Sequence, residues 1–272
     1  TISSAHFAPC TTHEPHMVYQ TMREHGTAIL RNGGVCKNLQ AGMCRAFDRP
    51  DLFASNDATP PWDTIFNAVD ENGAPSHGDG QRLQLHPDHA PAFTKCGDSK
   101  DVLRDLLVRL SGENISSASV SVRAQRDGLD IRIKDTGFYV SATILKGKDP
   151  FSNMAQQPWH CDHARHGVYS GHHDFPFVVV FPLRSGDCYR CNVLLPEAQL
   201  MGEISLDVNE IMFLRGDTIH GGSANFFSHR VHLYIEKHTL PRRVADTTFL
   251  VSNETPRALI PDSHYLKQEN EG

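Results

Sequence analysis

Histidine is the commonest metal ligand among side chains, and this chain of 272 residues carries 17 of them. Four times a histidine stands two positions before an aspartate: His77/Asp79, His86/Asp88, His160/Asp162 and His172/Asp174. At this His and Asp content chance alone supplies about one such pair, so the pattern is informative only in context. A His-x-Asp pair joined by a distant second histidine is the donor set that holds non-haem Fe(II) from one side and leaves the other side open. The first two pairs fall in a Pro/Gly-rich stretch with no expected strand to fix them. The fourth stands two residues before the apolar run Phe177–Phe181, which leaves little chain to turn it toward a site. His160/Asp162 follows an alternating segment and the lead-in Gln157-Pro158-Trp159, with fourteen residues before the next apolar run. That pair is the favoured one, because a segment at the end of a rigid strand fixes both side chains on one side of a scaffold.

The second histidine is expected from Met212-Phe213-Leu214-Arg215-Gly216-Asp217-Thr218-Ile219-His220-Gly221-Gly222. There a strand runs into a Gly-Asp turn, and two glycines after His220 let a ligand approach the backbone. Ten residues further on, Arg230 opens the segment Arg-Val-His-Leu-Tyr-Ile. If His220 ends one strand and Arg230 begins its neighbour, the guanidinium lies beyond the metal, where its fork of donors would clamp the far end of a dicarboxylate.

Elements that would carry these residues follow from periodicity. Glu14 to His25 has helical spacing and stops at Gly26, and Thr27–Leu30 reads as a short strand. Leu39, Met43 and Phe47 mark a second helix closed by Pro50, and residues 60–97 read as a long irregular excursion. Val102, Leu103, Leu106, Leu107 and Leu110 form one apolar stripe of a third helix ending at Gly112. Beyond it the period changes to two: Ser119–Val122, Leu129–Ile133 and Tyr139–Leu145 alternate, and Phe177–Phe181, Asn192–Leu195, Ile204–Leu206, Glu210–Leu214 and Arg230–Ile235 are further strands. The expected fold is mainly β with α, a jelly roll or cupin-like sandwich backed by N-terminal helices. It reads as one domain over 1–272: a helical support layer with the irregular insertion (1–112), a β core (113–240) and a C-terminal extension (241–272).

Composition narrows the function classes. Apolar residues at 39% and charged residues at 21% describe an ordinary globular chain. The apolar run Phe177–Phe181 is far short of the roughly 20 residues a membrane helix needs, and Thr1-Ile2-Ser3-Ser4 does not read as a secretory leader. The net charge of −6 disfavours nucleic acid as a partner, although a local basic groove would override it. Seven scattered cysteines, an odd number, argue for a reducing, intracellular and cytoplasmic setting.

Taken together, His160-x-Asp162, His220 after Gly-Asp and Arg230 ten positions later resemble the Fe(II)/2-oxoglutarate-dependent dioxygenase superfamily. The likeness is strengthened by Gln157-Pro158-Trp159-His160-Cys161-Asp162-His163, and the helix–Gly26–strand opening is similar to phytanoyl-CoA-hydroxylase-like branches. The resemblance covers Tyr139 to Glu236 and, loosely, the first third of the chain. It implies a double-stranded β-helix with iron on His160, Asp162 and His220. It also implies 2-oxoglutarate chelating that iron with its far carboxylate on Arg230, and O2 as co-reactant. The implied activity is oxidative decarboxylation of 2-oxoglutarate to succinate coupled to C–H hydroxylation, or desaturation, of a small-molecule or side-chain substrate that the sequence does not name. Two departures stand out. Arg230-Val231-His232 replaces the Arg-x-Ser of some plant-type branches, and Asp162 separates the chain from halogenating relatives, which have a small residue there.

Other residues are candidates of a lower order. The hydroxyl face of Tyr139, Ser141 and Thr143 would add a bond to the cosubstrate carboxylate, or simply face solvent. His163, Arg165 and Tyr169, in a loop beside the site, would meet an anionic substrate or form a solvated lid. Cys188-Tyr189-Arg190-Cys191 lacks the second pair a zinc site wants and reads as unpaired thiols. Cys161 should point away from the metal, since alternate residues of a strand diverge. The competing reading is a non-catalytic jelly roll that binds a partner or holds at most a structural metal.

Overall fold

The computed structural model describes residues 10–31, 37, 41, 62–65, 79–85, 120–125, 128–133, 138–147, 156–157, 159–162, 175–182, 189–195, 200–207, 209–223, 229–237 and 248–249. In chain order these form β1 (Thr11–Thr12), a 3-10 turn (Pro15–Met17), α1 (Val18–His25), β2 (Thr27–Leu30), β3 (Trp62–Ile65) and β4 (Asp79–Leu85). The hairpin β5 (Val120–Gln125) and β6 (Gly128–Ile133) precedes β7 (Phe138–Gly147), β8 (His160–Cys161), β9 (Phe177–Pro182) and β10 (Tyr189–Leu195). The remaining strands are β11 (Leu200–Leu206), β12 (Ile211–Arg215), β13 (His220–Gly222), β14 (Arg230–Lys237) and β15 (Thr248–Phe249).

Two sheets result. The ten-stranded sheet runs β1-β2-β12-β9-β14-β7. The far edge of β7 is then shared: Phe138–Ala142 pairs with β6, and Leu145–Gly147 pairs with β4, which carries β3. The five-stranded sheet runs β11-β10-β13-β8-β15. Along the chain β7 lies in the first sheet, β8 in the second, β9 in the first, β10 and β11 in the second, β12 in the first, β13 in the second and β14 in the first. Each of these neighbours pairs antiparallel. This winding between two facing sheets is a double-stranded β-helix.

Alternation explains which side chains fill the space between the sheets. Val178 and Val180 of β9, Met212 and Leu214 of β12, Ile29 of β2 and Tyr234 of β14 cluster with Tyr189, Cys191 and Val193 of β10 and Ile204 and Leu206 of β11. The other face of β9 is covered as well. Phe177 meets Phe213 of β12, and Tyr19 of α1 packs on Phe175 and Phe177 with ring centroids 5.3 and 5.5 Å away. A strand buried on both faces loses its alternation, which is why Phe-Val-Val-Val-Phe reads as a continuous apolar run.

α1 ends as the sequence implied, with Gly26 in the left-handed region at φ 72° and its N–H on the Met22 carbonyl at 2.8 Å. Lys37 and Ala41 are helical; the rest of the expected second helix, and the helix over 102–110, lie outside the described residues. The expected irregularity of 60–97 is corrected in part. Trp62–Ile65 and Asp79–Leu85 form a β-hairpin stitched onto β7, so Asp79 begins a strand. Glycine, proline and charged residues around these strands masked an alternation in which Leu83 is fully buried. β8, β13 and β15 were not foreseen as strands, being two or three residues long. β10 and β11 begin earlier than expected, at Tyr189 and Leu200.

Candidate metal centre

β8 and β13 meet at one residue pair, His160 opposite His220. Cross-strand partners project to the same face of a sheet, and these two imidazoles lie 4.4 Å apart between ring centroids. Asp162 follows β8 and turns its carboxylate to both rings: Oδ1 is 3.8 Å from His160 Nε2, and Oδ2 is 3.4 Å from His220 Nε2. One ligand atom from each residue lies within 4.8 Å of the others, and the three are 1%, 1% and 3% exposed. Two imidazoles and one carboxylate thus converge on a point shielded from water. Such a donor set can hold one divalent ion, and its N2O composition without thiolate suits ferrous iron.

His220 is oriented by a relay that starts at the end of α1. Its Nδ1–H donates to the Thr218 carbonyl at 3.0 Å, which leaves Nε2 as the lone-pair nitrogen facing Asp162. Thr218 in turn donates its hydroxyl to the Gly26 carbonyl at 2.5 Å, and the Arg215 N–H donates to the same oxygen at 2.8 Å. The Arg215 guanidinium closes the assembly, donating to Asp217 Oδ1 at 2.7 Å and to the Arg23 carbonyl, one of the last of α1, at 2.7 Å. The Gly-Asp turn is therefore the bracket that joins the helix terminus to His220.

Arg230 opens β14 and is 3% exposed. Its guanidinium carbon stands 5.0 Å from the centroid of the Tyr189 ring, a cation–π contact that ties the head group to β10. His232 and Tyr234 share the face of β14 with Arg230, and His232 Nδ1 and the Tyr234 hydroxyl are 3.1 Å apart. Burial lowers the His232 imidazole to about 3, with the Asp162 carboxylate opposing and Arg230 assisting, so this histidine is neutral at ordinary pH. Burial likewise raises the Cys191 thiol to about 11, against the hydrogen bond from Tyr189 and the charge of Arg230.

The structure brings together His160, Asp162 and His220. The expectation that His220 ends one strand and Arg230 begins its neighbour is corrected: His220 begins β13, between β10 and β8, and Arg230 begins β14 in the facing sheet, between β7 and β9. In the β7–β14 ladder Thr143 lies opposite His232 and Tyr139 opposite Glu236; their side chains are outside the described residues. His163, Arg165 and Tyr169 are outside them too. Cys191 is buried as a thiol and Cys161 is also buried. Sequence reasoning missed Tyr189, which was noticed only as a spacer between two cysteines, and His232, noticed only as a departure from a motif. It also missed the relay through Thr218 and Gly26, which no local pattern signals.

No family model matches the chain, and no curated protein is similar to it. Among solved structures it is similar to a prolyl hydroxylase from Trichoplax adhaerens in complex with a hypoxia inducible factor oxygen degradation domain peptide fragment, at 12% identity over 83% of this chain and 90% of that one, TM-score 0.47. It is similar to a Pseudomonas putida prolyl-4-hydroxylase at 12% identity, 82% and 98% coverage and TM-score 0.44. A third similar structure is dioxygenase for auxin oxidation 1 from Arabidopsis thaliana with 2-oxoglutarate, at 11% identity, 92% and 96% coverage and TM-score 0.40. Among the described residues no helix is long and apolar enough to cross a membrane.

Proposed function

We propose that this chain is a non-haem Fe(II)- and 2-oxoglutarate-dependent oxygenase that hydroxylates a C–H bond of a small molecule or side chain. The observation that carries the reading is the buried convergence of His160, Asp162 and His220 within 4.8 Å. Iron held there, when bound, supplies the redox chemistry by which O2 converts 2-oxoglutarate to succinate and CO2 and hydroxylates the substrate.

The residues of the chain divide the remaining work. Asp162 offsets one charge of a divalent ion, and Thr218 fixes the His220 tautomer that presents Nε2. Arg230, lying on Tyr189, supplies paired donors for the far carboxylate of 2-oxoglutarate. Neutral His232 adds no second positive charge beside it. Tyr139 and Thr143 are proposed to add hydroxyl contacts to the same carboxylate. His163, Arg165 and Tyr169 are assigned to the substrate side. The odd cysteine count and the Cys191 thiol favour a reducing, intracellular setting.

Anaerobic addition of Fe(II) and 2-oxoglutarate to the full chain should produce a weak visible charge-transfer band that His160→Ala and Asp162→Ala lack. Arg230→Ala should raise the 2-oxoglutarate requirement while leaving metal affinity in place. A folded wild-type chain that shows no band, and forms no succinate under O2, overturns the reading in favour of a structural jelly roll.

A further inference from the structure

The segment bearing His160 and Asp162 has little strand of its own to hold it. β8 is two residues long; it meets β13 at a single pair and the two-residue β15 at two, and Asp162 lies beyond its end. Pro158, in the lead-in, brings no N–H to a ladder. Upstream of Pro158, Gln157 makes two hydrogen bonds to one residue of β13. Its backbone N–H donates to the Gly222 carbonyl at 2.9 Å, and its side-chain Oε1 accepts from the Gly222 N–H at 3.0 Å. Gln157 is 4% exposed, so both bonds form where water does not compete.

The partner end of this clamp is itself fixed. Gly222 lies opposite Cys191 in the β10–β13 ladder. Ser223 donates its N–H to the Arg190 carbonyl at 3.1 Å, and Asn192 Nδ2 donates to Ser223 Oγ at 3.1 Å. The clamp therefore ties a segment with little pairing to a strand well anchored on β10. It does so three residues before His160 and two residues after His220. Any slack at this point changes the separation of the two imidazoles and the direction of the carboxylate, the quantities a metal ion is most sensitive to.

We propose that Gln157 is a positioning residue of the metal centre, its side-chain amide setting the register of the His160/Asp162 segment against His220. The inference rests on the metal reading given above. The amide oxygen accepts from the Gly222 N–H rather than from a metal donor; it acts through the backbone of Gly222. A glutamine at this point does what extra ladder bonds would do in a longer strand, and the acceptor oxygen is the feature that counts.

Co(II) serves as the probe, because its d–d absorption reports both affinity and ligand geometry without turnover. Gln157→Met keeps the length and removes the acceptor; it should weaken Co(II) binding by about tenfold, the scale of outer-shell ligand support, and alter the band shape. Gln157→Glu restores an acceptor oxygen and should return the wild-type band shape. Val179→Ala, in the large sheet, should lower thermal stability without moving the spectrum, which separates positioning from general loosening. If Gln157→Met does not fold, Gln157→Asn withdraws the amide by one methylene and should shift band and affinity the same way. A folded variant lacking the acceptor but with unchanged affinity and band overturns the clamp alone. So does Gln157→Glu failing to restore the band. A wild-type chain whose Co(II) binding survives His160→Ala overturns the metal centre, and the clamp with it.

Discussion

The two sheets of this molecule solve different problems. In the ten-stranded sheet the central strands β12, β9 and β14 pair over four to eight residues on each side, and Phe177, Val178, Val179, Val180 and Phe181 are fully buried. In the five-stranded sheet the site-bearing strands β8 and β13 span two and three residues and meet at one pair. The first gains its rigidity from apolar burial, which is large but non-directional. In the second, β10 and β11 share that apolar burial, whereas the site-bearing β8 and β13 gain their rigidity from individual hydrogen bonds: His220 to Thr218, Thr218 to Gly26, and Gly222 to Gln157. Metal geometry demands directional constraints, so stability and precision are housed in different strands. Arg230 sits where the two meet, extending from the large sheet to stack on Tyr189 of the small one.

If that division is real, substitutions in one sheet should leave the property of the other intact. The largest effect expected is from Asp162→Ala. Metal affinity should fall by more than about a hundredfold, beyond the range for outer-shell partners, while the metal-free melting temperature changes little; a Co(II) titration beside a thermal melt reads both. Phe177→Ala should do the reverse. Loss of a fully buried ring against Tyr19 and Phe213 costs about 3–5 kcal/mol in urea denaturation, with Co(II) affinity of the folded fraction unchanged. A large drop in that affinity would mean the two layers are not separable.

Gly26→Ala tests the bracket that links them. The left-handed backbone alone should cost about 1–2 kcal/mol, and the new Cβ would stand 3.0 Å from the Thr218 hydroxyl. A shift in Co(II) affinity should accompany the lower melting temperature, because Thr218 orients His220; stability loss alone would remove α1 from the account of the site. The smallest effect concerns pH. His232 is held near 3 in the folded chain against an ordinary value of 6.5, so below pH 6.5 only the unfolded chain takes up its proton. Its contribution to stability is present above pH 6.5 and lost as the pH falls toward 3, by about 1 kcal/mol between pH 6.5 and 5.5. His232→Asn should flatten the pH dependence of denaturation over that interval; an unchanged slope would remove His232 as its source.

The strongest elements were legible because a single physical pattern specified each. Phe177–Phe181 announced a strand covered on both faces, Gly26 announced a helix end, and the alternation of 139–145 announced β7. The three residues that converge as candidate metal donors were legible from residue type, spacing and the Gly-Asp turn, once context had ranked four candidate pairs. The 60–97 stretch was misread because Leu83 stands among glycines and charged residues, and its strand is made by pairing with β7. Nothing local marks Lys146 as 1% exposed either, since its burial depends on what covers the sheet.

Composition and periodicity by themselves determined a β-rich fold, the order of its main strands and the side chains with the chemistry to bind a metal. Those properties are carried by residue type and by spacings of two or a few positions. Tertiary structure alone decided that residues 160 and 220 face each other, that Arg230 lies on Tyr189, and that Gln157 and Gly26 brace the site. Those contacts join residues 41 to 192 positions apart, and no local regularity encodes a partner at such a distance.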